Sequence, residues 1–127
     1  MTPSPPVSWL LARGSVLPAS SPKRSLDLRL LRPVRPPRVS SGESVYIEAR
    51  VLCRGLEACS IRLEFDRARF AEDTGTPTTQ DVPVATGNAL FNWTLRVIPG
   101  AKASSSVRVV AEGDGLLQVS EFNVEVN

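Results

Sequence analysis

Residues 42–65 read GESVYIEARVLCRGLEACSIRLEF, and their alternation decides the fold class. Val45, Ile47, Ala49, Val51 and Cys53 alternate with Tyr46, Glu48, Arg50 and Leu52. Side chains of a strand point alternately to opposite faces, so this run has one apolar face and reads as a core-facing strand. Cys59, Ile61, Leu63 and Phe65 repeat the pattern against Ser60, Arg62 and Glu64. Residues 54–58 separate the cysteines, with Gly55 as the turn former. The spacing predicts a β-hairpin with Cys53 and Cys59 at facing strand ends. Opposite residues of an antiparallel pair have Cα atoms about 4.5–5.5 Å apart, within disulfide range. A Cys53–Cys59 disulfide is expected on that ground. Closing so short a loop contributes only about 2 kcal/mol, so its role would be to fix register. Two buried free thiols are the alternative. The chain has no histidine, and two sulfurs alone do not complete a tetrahedral site, so neither metal nor cofactor is expected.

Working outward, Leu26, Leu28 and Leu30 alternate with Asp27, Arg29 and Leu31 and predict a first strand over 25–34, stopped by the prolines of 32–37. Residues 66–87 are irregular, with a loop at 72–80 and a short edge strand expected at 81–85, where Pro83 excludes a central position. Asp66, Glu72, Asp73 and Asp81 fall in this stretch without the dense spacing of a calcium loop. Residues 89–98 place Ala89, Phe91, Trp93, Leu95 and Val97 inward, with Trp93 as the largest core side chain. Asn92-Trp93-Thr94 matches the N-glycosylation sequon, but its mid-strand place and bulky centre argue against use. Val107, Val109 and Ala111 form the inward set of the next strand, and Gly113-Asp114-Gly115 turns the chain. In the last strand Leu117 and Val119 are out of phase with Phe122, Val124 and Val126, which predicts a bulge near Ser120 and Glu121.

Short strands separated by polar turns, with no sustained helical period, predict an all-β antiparallel sandwich of about seven strands over residues 25–127. Residues 1–24 read as a Pro- and Ser-rich extended arm. The net charge of +2 hides an asymmetry. Residues 1–38 carry Arg13, Lys23, Arg24, Arg29, Arg32, Arg35 and Arg38 against Asp27, a balance of +6. The remainder carries eight basic and twelve acidic residues, a balance of −4. A basic arm on an acidic body suits an acidic partner, such as a neighbouring copy. Trp9, Leu10 and Leu11 form an apolar triplet that a free tail has no reason to expose, so the arm residues Trp9, Leu10, Leu11, Arg13, Lys23 and Arg24 are the candidate partner-binding set. Packing of the triplet on its own domain is the competing reading.

No apolar run approaches the length of a membrane span. Residues 7–12 (VSWLLA) are a poor signal peptide, whereas a disulfide implies an oxidising setting. A trimmed start, a thermophile cytosol or release outside the cell, as on a virion, reconciles the two. The catalytic inventory is thin. There is no histidine for a triad, no phosphate-binding glycine motif, and a single tyrosine, so an enzyme is not expected.

The run G-E-S-V-Y-I-E-A-R-V at 42–51, with a cysteine on each side of the following turn, resembles the early strands of prokaryotic surface Ig-like modules. FNWTLRVIPG at 91–100, SSVRVVAEGDG at 105–115 and SEFNVEVN at 120–127 resemble their closing strands. These are the cell-adhesion-related and galactosidase-associated Ig-like families. The resemblance covers residues 25–127, and residues 66–87 depart from it. It implies an Ig-like sandwich acting as a non-catalytic structural or interaction module. The partner expected is protein: further copies of the chain as a homo-oligomer or filament, or a larger extracellular, cell-surface or virion assembly that the chain decorates. Carbohydrate binding is the alternative, and aromatic residues, 6% of the chain, are few for it. Nucleic-acid binding is disfavoured by the acidic body and by an arm with one aromatic.

Overall fold

The computed structural model describes residues 23–73, 75–100 and 104–127. They form nine strands: β1 (Ser25–Arg32), β2 (Arg38–Val39), β3 (Ser44–Arg54), β4 (Ser60–Phe65), β5 (Phe70–Glu72), β6 (Thr79–Asp81), β7 (Asn88–Val97), β8 (Ser105–Gly113) and β9 (Leu116–Val126). Two sheets result, in the orders β1-β3-β7-β5 and β2-β9-β8-β4-β6. All pairings are antiparallel except the short β2–β9 contact.

The alternating faces bury as the sequence predicts. Val45, Ile47, Ala49, Val51 and Cys53 of β3 are interior, as are Phe91, Trp93, Leu95 and Val97 of β7. Ile61 and Leu63 of β4 and Val107, Val109 and Ala111 of β8 meet them from the second sheet. Register matches small to large: Ala49 lies opposite Phe91, and Ile47 opposite Trp93. Trp93 is fully buried, stacks on Phe91 with ring centroids 6.3 Å apart, and donates its indole N–H to the Pro77 carbonyl at 3.0 Å. A buried tryptophan needs that acceptor, and the irregular segment supplies it. The same segment is tied down by Asp73 N–H to the Thr94 carbonyl at 2.9 Å and Leu63 N–H to the Thr78 carbonyl at 2.8 Å.

Three expectations are corrected. First, β3 and β4 do not form a hairpin. β3 pairs with β1 and β7, and β4 with β6 and β8. Residues 55–59 carry the chain from one sheet to the other, and alternation alone does not distinguish a hairpin from such a crossing. Second, β9 has no bulge. It pairs with β8 in unbroken register from Ser105↔Val124 to Gly113↔Leu116. Leu117 and Val119 therefore point outward, opposite to Phe122 and Val124. Third, the edge strand of the irregular segment is Thr79–Asp81 rather than 81–85, and the chain turns after Val82, with Gly87 N–H bonding the Pro83 carbonyl at 3.1 Å.

The β8–β9 connection is a two-residue turn, with φ of 49° at Asp114 and 83° at Gly115. Both angles are left-handed, as the twist-matched hairpin turn requires. The sheet order is that of an Ig-like sandwich: β1, β3, β7 and β5 form one layer, and β9, β8 and β4 the other, with β2 and β6 as short additions. The chain is thus an all-β, Ig-like sandwich.

Gly113 sits where no side chain fits. An added Cβ would lie 2.3 Å from the Ala58 carbonyl oxygen and 3.0 Å from the Cys59 Cα. At Gly42, with φ of +85°, an added Cβ meets nothing within 4 Å. Gly113→Ala is expected to cost about 2–4 kcal/mol, because backbone on both sides must shift. Gly42→Ala costs about 1–2 kcal/mol of left-handed strain. Urea unfolding of the two variants checks this, and equal losses would contradict the close packing.

Candidate interaction surface

The crossing between the sheets encloses the cysteines. Cys53 ends the inward row of β3, and Cys59 opens that of β4, so both thiols enter one end of the core from opposite sheets. Both are buried and free, and Cys59 Sγ lies 4.0 Å from the Ser60 carbonyl oxygen. The disulfide expected from a hairpin is not present in this structure, and the hairpin that would have faced the two residues is absent too. Burial, with the neighbouring Cys53 and then Asp114, pushes the Cys59 thiol up from 9.0 to about 11. The raised value disfavours a Cys59 thiolate near neutral pH, and both side chains pack in the hydrophobic core.

The β8–β9 turn closes this end from above. Asp114 Oδ2 accepts from Glu57 N–H at 2.8 Å, and Arg24 Nη1 donates to the Asp114 carbonyl at 3.0 Å. Cys53 N–H bonds the Gly87 carbonyl and Val82 N–H the Cys59 carbonyl, each at 2.9 Å. An open cleft of about 650 Å³ lies beside it, lined in part by Asp27, Arg54, Thr86 and Asn88. Among the described residues no polar or charged side chain is buried, and the cleft's Asp27, Arg54, Thr86 and Asn88 are all exposed to solvent.

Charges on the outer face of the second sheet neutralise one another. Arg62 bonds Glu64 at 2.7 Å and Glu112 at 2.8 Å, and Arg108 lies 3.6 Å from Glu64 and 3.9 Å from Glu121. In the middle of this lattice Val110 is only 2% exposed, flanked by Val119 and Leu117 at 50% and 56%. This small apolar strip was missed in the sequence; its signal was the shifted phase of Leu117 and Val119.

Edges remain. β5 and β6 are three residues long and β2 two, and β2 covers only Glu125 and Val126 of β9, which among the described residues has no strand on its outer side over 116–124. β1 is eight residues long and pairs with β3 on one side. Among the described residues, no strand pairs with its other side. It bears Asp27 and Arg29, exposed and 3.3 Å apart. A border this long presents a row of backbone donors and acceptors open to another strand.

The residues expected to bind a partner divide. Trp9, Leu10, Leu11 and Arg13 lie outside the described residues. Lys23 and Arg24 lead directly into β1, where Arg24 ties the chain to the Asp114 turn. The four acidic residues of the irregular segment do not converge. Asp66 accepts from Ala68 N–H at 2.9 Å, Glu72 from Gly75 N–H at 2.7 Å, and Asp73 pairs with Arg96 at 2.7 Å. Among the described residues no acidic, cysteine or histidine cluster could hold a metal ion. No helix of the described residues is long and apolar enough to cross a membrane.

No family model matches this chain, and no curated protein does. Solved structures share the fold. A conjugative transposon lipoprotein of Bacteroides eggerthii aligns over 78% of this chain and 95% of its own, with 16% identity and a TM-score of 0.55. A lipoprotein of Bacteroides thetaiotaomicron aligns over 81% of both chains, with 14% identity and a TM-score of 0.51. The Ig complex of titin M10 with obscurin-like 1 contains a chain 17% identical, aligned over 83% of this chain and 96% of its own, with a TM-score of 0.50. At these identities the likeness concerns the Ig-like sandwich alone.

The thiol end predicts a pH dependence. Cys59 ionises less readily when folded than the ordinary thiol at 9.0. Its contribution to stability is therefore complete below about pH 9 and is lost as the pH rises toward about 11. Urea midpoints of the native chain should fall across that window by more than those of Cys59→Ala. Parallel declines in the two proteins would contradict the shift.

Proposed function

We propose that this protein is a non-catalytic structural module that works by binding protein, assembling with copies of itself or decorating a larger assembly through the β1 edge and the arm that precedes it. The observation that carries this reading is the eight-residue border of β1, which no strand of the described residues covers on its outer side and which is entered directly from the basic segment at Lys23 and Arg24. Strand addition to such an edge gives affinity through main-chain hydrogen bonds and needs no pocket. The arm adds the contacts that a small body lacks, with Trp9, Leu10 and Leu11 as its apolar anchor and its arginines facing the acidic body of a neighbour. A place at a cell surface, outside the cell or on a virion accords with this role, and two of the fold neighbours are Bacteroides lipoproteins. Carbohydrate binding has less support. Among the described residues Tyr46 is the only exposed aromatic, and one ring does not make a sugar platform.

Removing the anchor tests the role of the arm. The full chain carrying Trp9→Ala, Leu10→Ala and Leu11→Ala together should sediment at lower average mass than the native chain at equal concentration. Equal masses at every concentration would remove the arm from the assembly.

A further inference from the structure

We propose that two copies of this chain pair antiparallel through β1, in the register that places Leu28 opposite Leu28 of the second copy. This deepens the interaction-module reading and rests on it.

The border itself comes first. β1 runs regularly against β3 from Ser25↔Arg54 to Leu30↔Ala49, with a register shift between Leu30 and Arg32. The regular part, residues 25–30, is the part that can accept another strand. Its inward side chains are Leu26, buried, and Leu28 and Leu30, half-buried at the rim of the core. Its outward charges are Asp27 and Arg29, whose side chains are 51% and 70% exposed.

Charge selects both the occupant and the register. A second copy of β1 keeps its leucines on the core face only in registers that pair residues of equal parity. Three such registers are centred on this run. Centring on Asp27 sets Asp27 against Asp27, and centring on Arg29 sets Arg29 against Arg29. Centring on Leu28 sets Asp27 against Arg29 twice, once on each side of the two-fold axis. Like charges directly opposite destabilise a strand pair, and opposite charges stabilise it. The same register places Leu26 and Leu30 of one copy against Leu30 and Leu26 of the other, extending the rim of both cores. Arg24 and Arg32 flank the regular run, and each has its own partner: Arg24 bonds the Asp114 carbonyl at 3.0 Å, and Arg32 lies 3.5 Å from Glu48. An interface that is its own complement is what two-fold symmetry demands.

The other occupants fit less well. Between residues 7 and 17 the arm offers a proline-free run whose one charge is Arg13, so it can answer Asp27 but brings no acid across from Arg29. Because the ladder is short, the dimer is of the weak class and depends on concentration.

The test is sedimentation of the full chain over a wide concentration range, native and as Asp27→Arg, Arg29→Asp, the double variant Asp27→Arg/Arg29→Asp, and the arm variant described above. Each single variant turns both cross-strand pairs from opposite to like charge. It should weaken dimerisation about tenfold or more, with melting temperatures of the monomers unchanged. The double variant restores both pairs with the charges exchanged and should dimerise within about twofold of the native chain. Single variants that dimerise like the native chain overturn the pairing, and so does a double variant as weak as the singles. If assembly is lost in the arm variant while the charge variants assemble normally, the pairing falls and the arm-based reading stands. If the charge pattern holds and the arm variant assembles normally, the pairing stands and the role of the arm falls. A native chain that stays monomeric throughout overturns both as self-assembly.

Discussion

Trp93 lies fully buried between the sheets, with its one polar atom answered by the Pro77 carbonyl, and much of the remaining structure is arranged around that contact. An indole buried without an acceptor would lose about 1–3 kcal/mol. The irregular segment between β5 and β7 is therefore needed in place: it carries the acceptor, and its backbone is bonded at Asp73, Thr78 and Val82 to neighbouring strands. Around the ring, the small Ala49 and the branched Ile47 leave room on β3 for Phe91 and Trp93 on β7. The sandwich reaches this packing without the inter-sheet disulfide of antibody domains. Its two thiols sit instead where the chain crosses between the sheets.

That crossing separates what the sequence disclosed from what it concealed. Alternation reports which face of a strand is buried. The inward sets of β3, β4, β7 and β8, and Trp93 as the central side chain, were legible for that reason. Alternation does not report which strand lies alongside. The two runs flanking residues 54–58 have the same pattern whether they pair with each other or belong to opposite sheets, so the hairpin and the facing thiols it implied were misread. The terminal strand shows the complementary failure. Leu117 and Val119 are apolar and out of phase with Phe122, and a bulge was the economical reading. The structure instead leaves both on the outer face, beside a Val110 that the lattice of Arg62, Glu64 and Glu112 already shields. Apolar residues on a solvent face are ordinary when they are few.

The candidate site was legible only in part. The sequence marked Lys23 and Arg24 through their charge, and marked β1 as the first strand. That β1 is a border strand with nothing described on its far side is a property of the sheet order, and sheet order is set by contacts between distant residues. β5, β6 and β2 stay short because the chain turns away through Asp66, Pro83 and the prolines at 33, 36 and 37. Short borders offer little for another strand to pair with. β1 keeps its length as a border strand, as does β9 over 116–124 beyond the two residues that β2 covers; β1 tempers that exposure with Asp27 and Arg29, a pair that repels the wrong register and complements a second copy in the right one.

Amide hydrogen exchange along β1, followed as a function of protein concentration, tests this account most directly. Pairing of the border predicts that the outward-directed amides among residues 25–30 become protected as concentration rises, while β5 and β6 amides keep their rates. If the β1 amides exchange equally fast at the lowest and highest concentrations, this border is not where copies of the chain meet.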